Sequence, residues 1–307
     1  MGLSRRQLLS GVAAATIAAA QDTPPGGQFR RQNGPKPRST PPICLFSDQI
    51  KEIGYDELGR ILKMLGFEGC DLSVQPGGHI TPEHADLDFM RAIEAMTGSG
   101  VDVYMISTTF TSPMNETLRL AMQWGGEMGV PFFRPGHWKY DSGEIEARMI
   151  AAQRDIAGLA AIGRATGIAV GIHNATADYV GGAMWDTNMI IRGMEARLVG
   201  YDFDTGYAMA QGGSAGFHTL LPMALPRLKM VTARDCYWNK DGSEWKLVEC
   251  PLGEGMVDWT QFFTTLKQAR FSGPISLQVG YTVKDELAAI KKDLAFLKKQ
   301  VAAAYGG

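Results

Sequence analysis

Ionisable and polar residues follow directly on several short apolar runs of this chain. Three of these runs lead into Asp204, into Arg234 with Asp235, and into Gln278. A carboxylate can accept a proton and a guanidinium can bind an oxyanion, so this set suits acid–base chemistry. A strand that is apolar along its length and polar at its carboxyl end is typical of a barrel or an open α/β sheet, where ligands bind at the strand ends. The sequence therefore predicts one ligand site that these residues share.

Histidines and aromatic residues gather at the same predicted strand ends. Three of the five histidines in the chain belong to this group, whereas unrelated histidines would scatter. Aromatic rings stack on the C–H faces of sugars, and the polar tips of Tyr and Trp donate hydrogen bonds. We therefore expect a carbohydrate pocket, although the aromatic residues could instead close the barrel mouth as core. The predicted substrate contacts are His79, His137, Trp138, Asn174, Tyr207, Arg234, Asp235, Trp238 and Gln278.

The elements that must position these residues alternate regularly along the chain. Apolar runs that predict strands occur near 43–47, 68–74, 101–107, 130–134, 167–173, 198–204, 228–234 and 274–279. Stretches with helical periodicity cover 55–65, 84–98, 115–128, 144–166, 186–195, 215–224, 259–269 and 284–304. Eight strands that alternate with eight helices fit a closed parallel barrel better than an open sheet. The sequence therefore predicts an α/β fold, a single-domain (β/α)8 TIM barrel at 43–307.

The first 42 residues predict an exported protein. Residues 1–20 carry Arg5 and Arg6, then a short apolar stretch and a small-residue cleavage site, which is the pattern of a twin-arginine signal peptide. Residues 21–42 are rich in Pro, Gly, Gln and Arg, as expected of a flexible linker. We therefore expect a periplasmic location for the folded barrel.

The composition of the chain argues against several classes of binding partner. The net charge of −2 offers no bulk attraction to nucleic acid, and the N-terminal apolar run is too short to span a membrane. Because no GxGxxG or P-loop motif is present, we expect no nucleotide cofactor. The pattern leaves the oligomeric state open, and it leaves open whether Cys236 and Cys250 pair.

A long segment after the seventh predicted strand holds a further carboxylate. Glycines flank Glu254 and allow a tight turn that could carry this side chain toward the site as a base. Asp258 stands just before a predicted helix, where we expect it to act as the N-cap.

The sequences PLGEGMVDW, ARD, DTGY and FSGPISL together resemble the sugar phosphate isomerase/epimerase family of xylose isomerase-like TIM barrels. The resemblance runs from about Ile43 to the end of the chain. It implies a TIM barrel that holds a divalent metal at its strand ends. The ligands in that family are a Glu, an Asp, a His and a Glu from the fifth to the eighth strand.

The resemblance carries over only in part to this chain. His173 stands near the position of the first Glu, and Asp204 matches the Asp. The family His corresponds to Thr232, and the last Glu falls at Gly280. The resemblance therefore implies His173 and Asp204 as metal ligands, with Mn²⁺ or Mg²⁺ bound weakly or lost.

Three functions fit these residues. The first is an isomerase or epimerase that removes a proton next to a carbonyl of a carbohydrate, with Asp204, Glu254 and His173 as catalytic residues. The second is a metal-independent sugar lyase or hydrolase with a carboxylate pair. The third is a non-catalytic sugar-binding barrel.

Overall fold

The computed structural model describes residues 34–141, 144–176 and 178–306. The predicted signal peptide and the first part of the predicted linker lie outside this range, and the domain boundaries stay a prediction. Ten strands are present in the described part: β1 (Ile43–Phe46), β2 (Gly69–Ser73), β3 (Asp102–Ser107), β4 (Phe132–Arg134), β5 (Ala169–His173), β6 (Val199–Asp204), β7 (Leu228–Ala233), β8 (Asp235–Asp241), β9 (Glu244–Cys250) and β10 (Ile275–Leu277).

Eight of these strands close into a parallel barrel. The order around the barrel is β1, β2, β3, β4, β5, β6, β7 and β10, and pairing of Ile43 with Ile275 closes the ring. The described helices are α1 (Tyr55–Leu65), α2 (Ala85–Gly98), α3 (Glu116–Glu127), α4 (Ile145–Thr166), α5 (Trp185–Ile191), α6 (Thr205–Ala224), α7 (Trp259–Gln268) and α8 (Glu286–Tyr305). The predicted (β/α)8 barrel is confirmed.

The helices pack against the barrel through one apolar face each. In α1, Leu58 and Leu62 are fully buried, and in α8 the same holds for Ile290 and Leu297. The two residues are four positions apart in α1 and seven apart in α8, and both spacings place side chains on one face of a helix. The predicted N-cap of α7 is also confirmed, because the Asp258 carboxylate accepts a hydrogen bond from the amide of Gln261 at 2.9 Å.

Two elements differ from the sequence prediction. Helix α6 starts ten residues earlier than expected, directly after β6, and is interrupted at Gly213, whose φ of 57° suits only glycine. The segment after β7, in which no strand was predicted, folds into the antiparallel hairpin β8–β9. Most of this hairpin is exposed, so it lacked the buried apolar pattern by which the barrel strands were recognised.

The barrel interior contains a polar layer below the strand ends. Asp71 accepts hydrogen bonds from Ser107 at 2.6 Å and from Ser276 at 2.7 Å. Asp202 accepts one from Thr232 and lies 3.9 Å from the guanidinium of Arg134. Both carboxylates are fully buried, so each needs these partners. Arg134 also reaches the cavity above, so the layer forms the floor of the site.

All four cysteines are free thiols in the structure. Cys236 and Cys250 stand on neighbouring strands of the hairpin but are not joined. The Cys236 thiol instead donates a hydrogen bond to the carbonyl oxygen of Gly206 at 3.2 Å.

Candidate functional site

The carboxyl ends of the barrel strands enclose a pocket of about 390 Å³. A cavity of this volume accommodates a ligand of the size of a monosaccharide. Five of the residues predicted from the sequence line it, and they come from five different strand ends: His137, His173, Tyr207, Arg234 and Gln278.

His173, at the end of β5, lies in the middle of a line of three polar side chains. Its Nε2 is 3.2 Å from Oδ2 of Asp204, and its Nδ1 is 3.3 Å from Nε2 of His137. His173 is almost fully buried, whereas His137 is open to the pocket. Because the two contacts use opposite nitrogens of one imidazole, the line runs from the buried Asp204 through His173 to the pocket.

Both histidines are held neutral by their surroundings. Burial lowers the pKa of His173 well below the usual range, and the charges of Arg134 and Arg234 lower that pKa further. Burial and the neighbouring His173 also lower the pKa of His137, and contact with solvent in the pocket weakens this effect. A neutral imidazole donates from one nitrogen and accepts at the other, so the pair can pass a proton along the line.

Asp204 ends β6 and also caps helix α6. Its Oδ1 accepts a hydrogen bond from the amide of Tyr207 at 2.8 Å, as expected for an N-cap. Its Oδ2 faces both His173 and Nε of Arg234, which is 3.4 Å away. Both oxygens of this fully buried carboxylate are therefore engaged by protein groups.

Arg234 follows β7 and is the cation at the centre of the site. Its Nη1 donates to the Tyr207 hydroxyl at 2.8 Å, and its guanidinium lies over the Tyr207 ring, 5.0 Å from the centroid. Its Nη2 donates to the side-chain oxygen of Gln278. The planar guanidinium thus links the ends of β6, β7 and β10 with a geometry that a lysine could not reproduce.

Two nitrogen donors at this point have no protein acceptor. Nε of Arg234 and Nε2 of Gln278 are buried, and neither has a hydrogen-bond partner among the described residues. The contact of Nε with Asp204 is an ion pair without hydrogen-bond geometry. A buried donor without an acceptor lowers the stability of the fold by about 1–3 kcal/mol. A bound ligand or water that accepts from these two nitrogens would remove this cost.

The structure places three predicted contact residues in supporting positions. Asn174 joins β5 to β6, because its amide donates to the backbone oxygen of Asp204 at 3.0 Å and accepts from the backbone amide at 2.7 Å. Trp138 is buried and donates to Asp155 at 3.0 Å. His79 is buried near Ser47, with Nδ1 3.3 Å from the backbone oxygen of that residue. None of the three lines the pocket.

Asp235 is turned away from the pocket. Its carboxylate accepts hydrogen bonds from the backbone amides of Gly253 at 2.9 Å and Val257 at 3.2 Å, and from the indole of Trp259 at 2.8 Å. It therefore holds the PLGEG loop against the hairpin, and a direct sugar contact is not supported by this geometry.

Glu254 and Trp238 also lie apart from the pocket. The Glu254 carboxylate pairs with Lys292 at the surface, and about half of its side chain is exposed. Trp238 stands on β8 with 42% of its surface exposed. The loop glycines turn the chain as expected, but they carry Glu254 to solvent and not to the strand ends. The geometry therefore gives no support to Glu254 as a base.

Sequence reasoning missed Glu249, which ends near the site from strand β9. Its Oε1 is 3.5 Å from Nη1 of Arg234. Its Oε2 is buried without a hydrogen-bond partner in the described part of the chain. Burial raises the pKa of this carboxyl, while Arg234 lowers it. No periodic pattern in the sequence predicted that the exposed hairpin would return a carboxylate to the strand ends.

His173 and Asp204, which the resemblance implied as metal ligands, contact each other at the strand ends. Mg²⁺ takes six ligands, mostly carboxylate oxygens and waters, in octahedral geometry around one point. His173 contacts Asp204 and His137 through opposite nitrogens, so in this structure the three groups do not converge on one point. The guanidinium of Arg234 already faces the Asp204 carboxylate. Within residues 34–141, 144–176 and 178–306, no group of three His, Cys, Asp or Glu side chains is arranged to hold a metal.

Comparison with known proteins identifies the fold family. A family model described as xylose isomerase-like TIM barrel matches residues 40–300. No curated protein matches the chain at a significant level of sequence similarity.

Solved structures with the same fold include sugar epimerases. A 3-keto-D-glucoside 4-epimerase from E. coli is 14% identical, with a TM-score of 0.66 over 84% of this chain and 99% of that chain. A D-allulose 3-epimerase from Methylomonas sp. in complex with D-allulose is 15% identical, with a TM-score of 0.65 over 87% and 99% of the two chains. A xylose isomerase-like TIM-barrel protein from Mycobacterium smegmatis, in complex with magnesium, is 15% identical, with a TM-score of 0.69 over 88% and 100%.

Proposed function

The chain belongs to the xylose isomerase-like TIM-barrel family, and from this premise we propose that it is a sugar isomerase or epimerase. Its substrate would be a small carbohydrate with a carbonyl group. The reaction would remove a proton from the carbon next to that carbonyl and return it. Two structural neighbours named as sugar epimerases, one of them in complex with D-allulose, support this class of substrate.

The observation that carries the proposal is the pair of unpartnered donors at the pocket. Loss of the proton turns the carbonyl oxygen into an oxyanion, which needs fixed donors. Nε of Arg234 and Nε2 of Gln278 are buried N–H groups of pocket-lining residues without an acceptor. A sugar oxygen that displaced the contacts covering either nitrogen would supply an acceptor, and the positive charge of Arg234 would favour the charged form of that oxygen.

The line of His137, His173 and Asp204 would handle a proton at the other side of the pocket. His137 is open to the pocket, and its neutral imidazole can exchange a proton with a sugar hydroxyl. His173 fixes the orientation of that ring through Nδ1, and Asp204 stabilises the line when it carries a proton. In this arrangement His173 and Asp204 act through His137 and do not touch the sugar.

We propose that the metal site of the fold is altered in this chain. A bound metal would polarise the carbonyl oxygen. Arg234 provides a permanent positive charge at the point where the ends of β6, β7 and β10 meet. A measurement of metal content in the purified protein tests this directly, and a stoichiometric divalent metal would contradict it.

The proposed activity is tested by hydrogen exchange. The purified protein is incubated in D₂O with a panel of free ketoses and 3-keto-glycosides, and NMR follows deuterium at the carbon next to the carbonyl. We expect deuterium incorporation together with a new isomer for at least one sugar. Absence of exchange across the panel would reject the isomerase assignment.

Calorimetry with the same sugars separates a second candidate. Tight sugar binding without deuterium exchange would indicate a non-catalytic sugar-binding barrel. The incomplete set of family metal ligands is also consistent with that candidate. The remaining candidate, a metal-independent sugar lyase or hydrolase, needed a carboxylate pair from Asp204, Asp235 and Glu254. Because Asp235 is turned away and Glu254 lies at the surface, the structure gives that pair no support.

A further inference from the structure

Arg134, at the end of β4, lines the strand-end pocket together with Arg234 and is its second cation. Its side chain is 11% exposed, and its guanidinium makes no hydrogen bond to any residue that the structure describes. Oδ2 of Asp202 is 3.9 Å from Nη1 of Arg134, an ion-pair contact beyond hydrogen-bond distance. A guanidinium has five N–H donors, so Arg134 offers unused donors to the pocket.

Packing holds this guanidinium in place without giving it an acceptor. Its central carbon lies 5.2 Å from the centroid of the Phe46 ring, which also belongs to the pocket wall. The backbone amide of Thr108 donates to the backbone oxygen of Arg134 at 2.9 Å and fixes the end of β4. An aromatic face attracts a cation but does not replace an oxygen acceptor. Arg134 is therefore a fixed donor whose partner would come from a ligand or water.

The described residues that line the pocket include two arginines but no aspartate or glutamate. Asp204 balances the charge of Arg234, with Oδ2 3.4 Å from Nε. Arg134 is balanced less completely, because Asp202 is 3.9 Å away and accepts hydrogen bonds from Thr232. Burial raises the pKa of Asp202 to about 7, so this carboxyl is only partly ionised near neutral pH. The pocket therefore keeps a surplus of positive charge, which favours an anionic ligand.

The two arginines meet the pocket at different depths. Asp202, the partner of Arg134, and Asp204, the partner of Arg234, are two residues apart on β6. Residues at this spacing point to the same face of a strand and are about 7 Å apart along it. One small ligand would therefore present different groups to the two cations. A carbonyl oxygen at Arg234 leaves Arg134 for a second, negatively charged group.

The surroundings of Arg134 suit a carboxylate better than a phosphate. A planar carboxylate accepts two parallel hydrogen bonds from one guanidinium. Phosphate sites commonly add backbone N–H groups from a helix N-terminus or a turn. Near Arg134, the backbone amides of Thr108 and Gly136 already donate to backbone oxygens within the protein, at 2.9 Å and 2.8 Å. A group with a single negative charge therefore matches this single guanidinium.

We propose that the substrate is a sugar acid and that Arg134 binds its carboxylate. This inference rests on the proposed isomerase or epimerase function and names the class of sugar. Arg134 holds the molecule by its acid end, while the carbonyl end lies at Arg234 and His137. Because Arg134 transfers no proton, it determines which sugar is bound and positions it for the reaction.

The test uses sugars that share a carbon skeleton and differ only at the last carbon. D-fructose has a hydroxymethyl group there, D-fructuronate a carboxylate and D-fructose 6-phosphate a phosphate ester. The corresponding three compounds of the D-tagatose series are added. Deuterium exchange next to the carbonyl gives kcat/KM for each sugar. We expect kcat/KM to be at least about tenfold higher for the acid than for the neutral ketose of the same series, because a charge-assisted hydrogen bond is stronger than a neutral one.

Arg134→Gln removes the charge that would select the acid. The preference for the acid over the neutral ketose should fall to within about threefold, mainly through a higher KM for the acid. The exposed Arg119→Gln on α3 is the matched control and should keep the full preference. If Arg134→Gln does not fold, the comparison of the three sugars with the unchanged protein decides by itself.

The outcomes separate the two proposals. Equal exchange of the neutral ketose and the acid, or exchange of the phosphate alone, would overturn the sugar-acid inference and leave the isomerase assignment standing. If no sugar exchanges, the isomerase assignment is rejected, and calorimetry with the same compounds judges the anion site. Binding of the acid at least about tenfold tighter than the neutral ketose, lost in Arg134→Gln, would support that site. Equal binding, or none, would refute it.

Discussion

Arg234 supplies a positive charge that cannot leave the pocket. A metal ion can be removed by a chelator, whereas this guanidinium is fixed by contacts to Asp204, Tyr207 and Gln278. Its charge also compensates a carboxylate that is fully buried. The residue therefore stabilises the fold, and in the proposed reaction it would also stabilise an oxyanion.

Substitution of Arg234 should separate these roles. Arg234→Lys keeps the positive charge but loses the planar set of guanidinium N–H donors. We therefore expect deuterium exchange activity to fall about 100-fold with a small loss of stability. Arg234→Met leaves Asp204 buried without its cation, which should destabilise the fold by about 3–5 kcal/mol. Urea unfolding and the deuterium assay measure the two effects.

The exposed Arg119 on α3 provides the control. Arg119→Met should change the free energy of unfolding by less than about 0.5 kcal/mol and leave exchange unchanged. If Arg234→Met were as stable and as active as this control, neither role would hold.

At the scale of elements, the hairpin β8–β9 and the PLGEG loop are held together by one carboxylate. Asp235 accepts hydrogen bonds from Cys236, Gly253, Val257 and Trp259, and it is 1% exposed. The loop has little regular structure of its own, so these bonds fix its path. The position of Glu249 depends on the same hairpin, since Asp235 and Cys250 pair across its two strands.

Asp235→Ala should therefore loosen the loop and destabilise the protein. The substitution leaves three backbone donors and one indole donor without an acceptor, at about 1–3 kcal/mol for each group that water does not reach. We expect a loss of at least about 3 kcal/mol in urea unfolding. Amide exchange of Gly253 and Val257 should be at least tenfold faster.

Asp241 is a matched control on the same strand. It is exposed and pairs with Lys246 at 2.6 Å, and exposed pairs contribute little. Asp241→Ala should lower stability by less than about 1 kcal/mol. Equal losses of unfolding free energy in the two variants would contradict this account, because Asp235 would then contribute no more than an exposed ion pair.

At the scale of the whole molecule, the barrel was predictable from sequence and parts of the site were not. Buried strands and amphipathic helices alternate, and this periodic signal placed Asp204, His173 and Arg234 at one rim, where they meet. A strand end gives the position of a residue but not the direction of its side chain. For that reason Asp235, adjacent to Arg234, was expected in the pocket and lies outside it.

Glu249 shows the second limit of such a prediction. Its approach to the site depends on the register of an exposed hairpin and on the absence of a side chain at Gly280, thirty-one positions later in the chain. Local propensity does not encode contacts of this kind, because each partner is unremarkable in its own segment. The hairpin and the end of the last barrel strand come together only in the folded protein.

We propose that residues 1–20 direct export of the chain. These residues lie outside the described part of the structure. Among the described residues, no helix is both long and apolar enough to cross a membrane. Replacement of Arg5 and Arg6 by lysines should leave an uncleaved chain inside the cell, because the signal depends on the arginine pair. The same change at Arg30 and Arg31 should leave export intact, and fractionation with N-terminal sequencing distinguishes the two.

The buried carboxylates of the barrel make a prediction about pH. Burial raises the pKa of Asp202 to about 7 and also raises that of Asp71. Above the usual carboxyl range the folded protein then binds more protons than the unfolded chain, so stability falls as pH rises toward neutrality. The melting temperature should therefore drop between pH 5 and pH 8.

Asp71→Asn removes one of these titrating groups while it keeps the size of the side chain. Its amide oxygen can still accept a hydrogen bond from Ser107 or Ser276, and its amide group can donate to the other hydroxyl. We expect the melting temperature of this variant to fall less between pH 5 and pH 8 than that of the unchanged protein. The exposed Asp86→Asn on α2 should follow the unchanged protein. Parallel curves for all three proteins would mean that Asp71 is charged in the fold across this range, and that Arg134 offsets its burial fully.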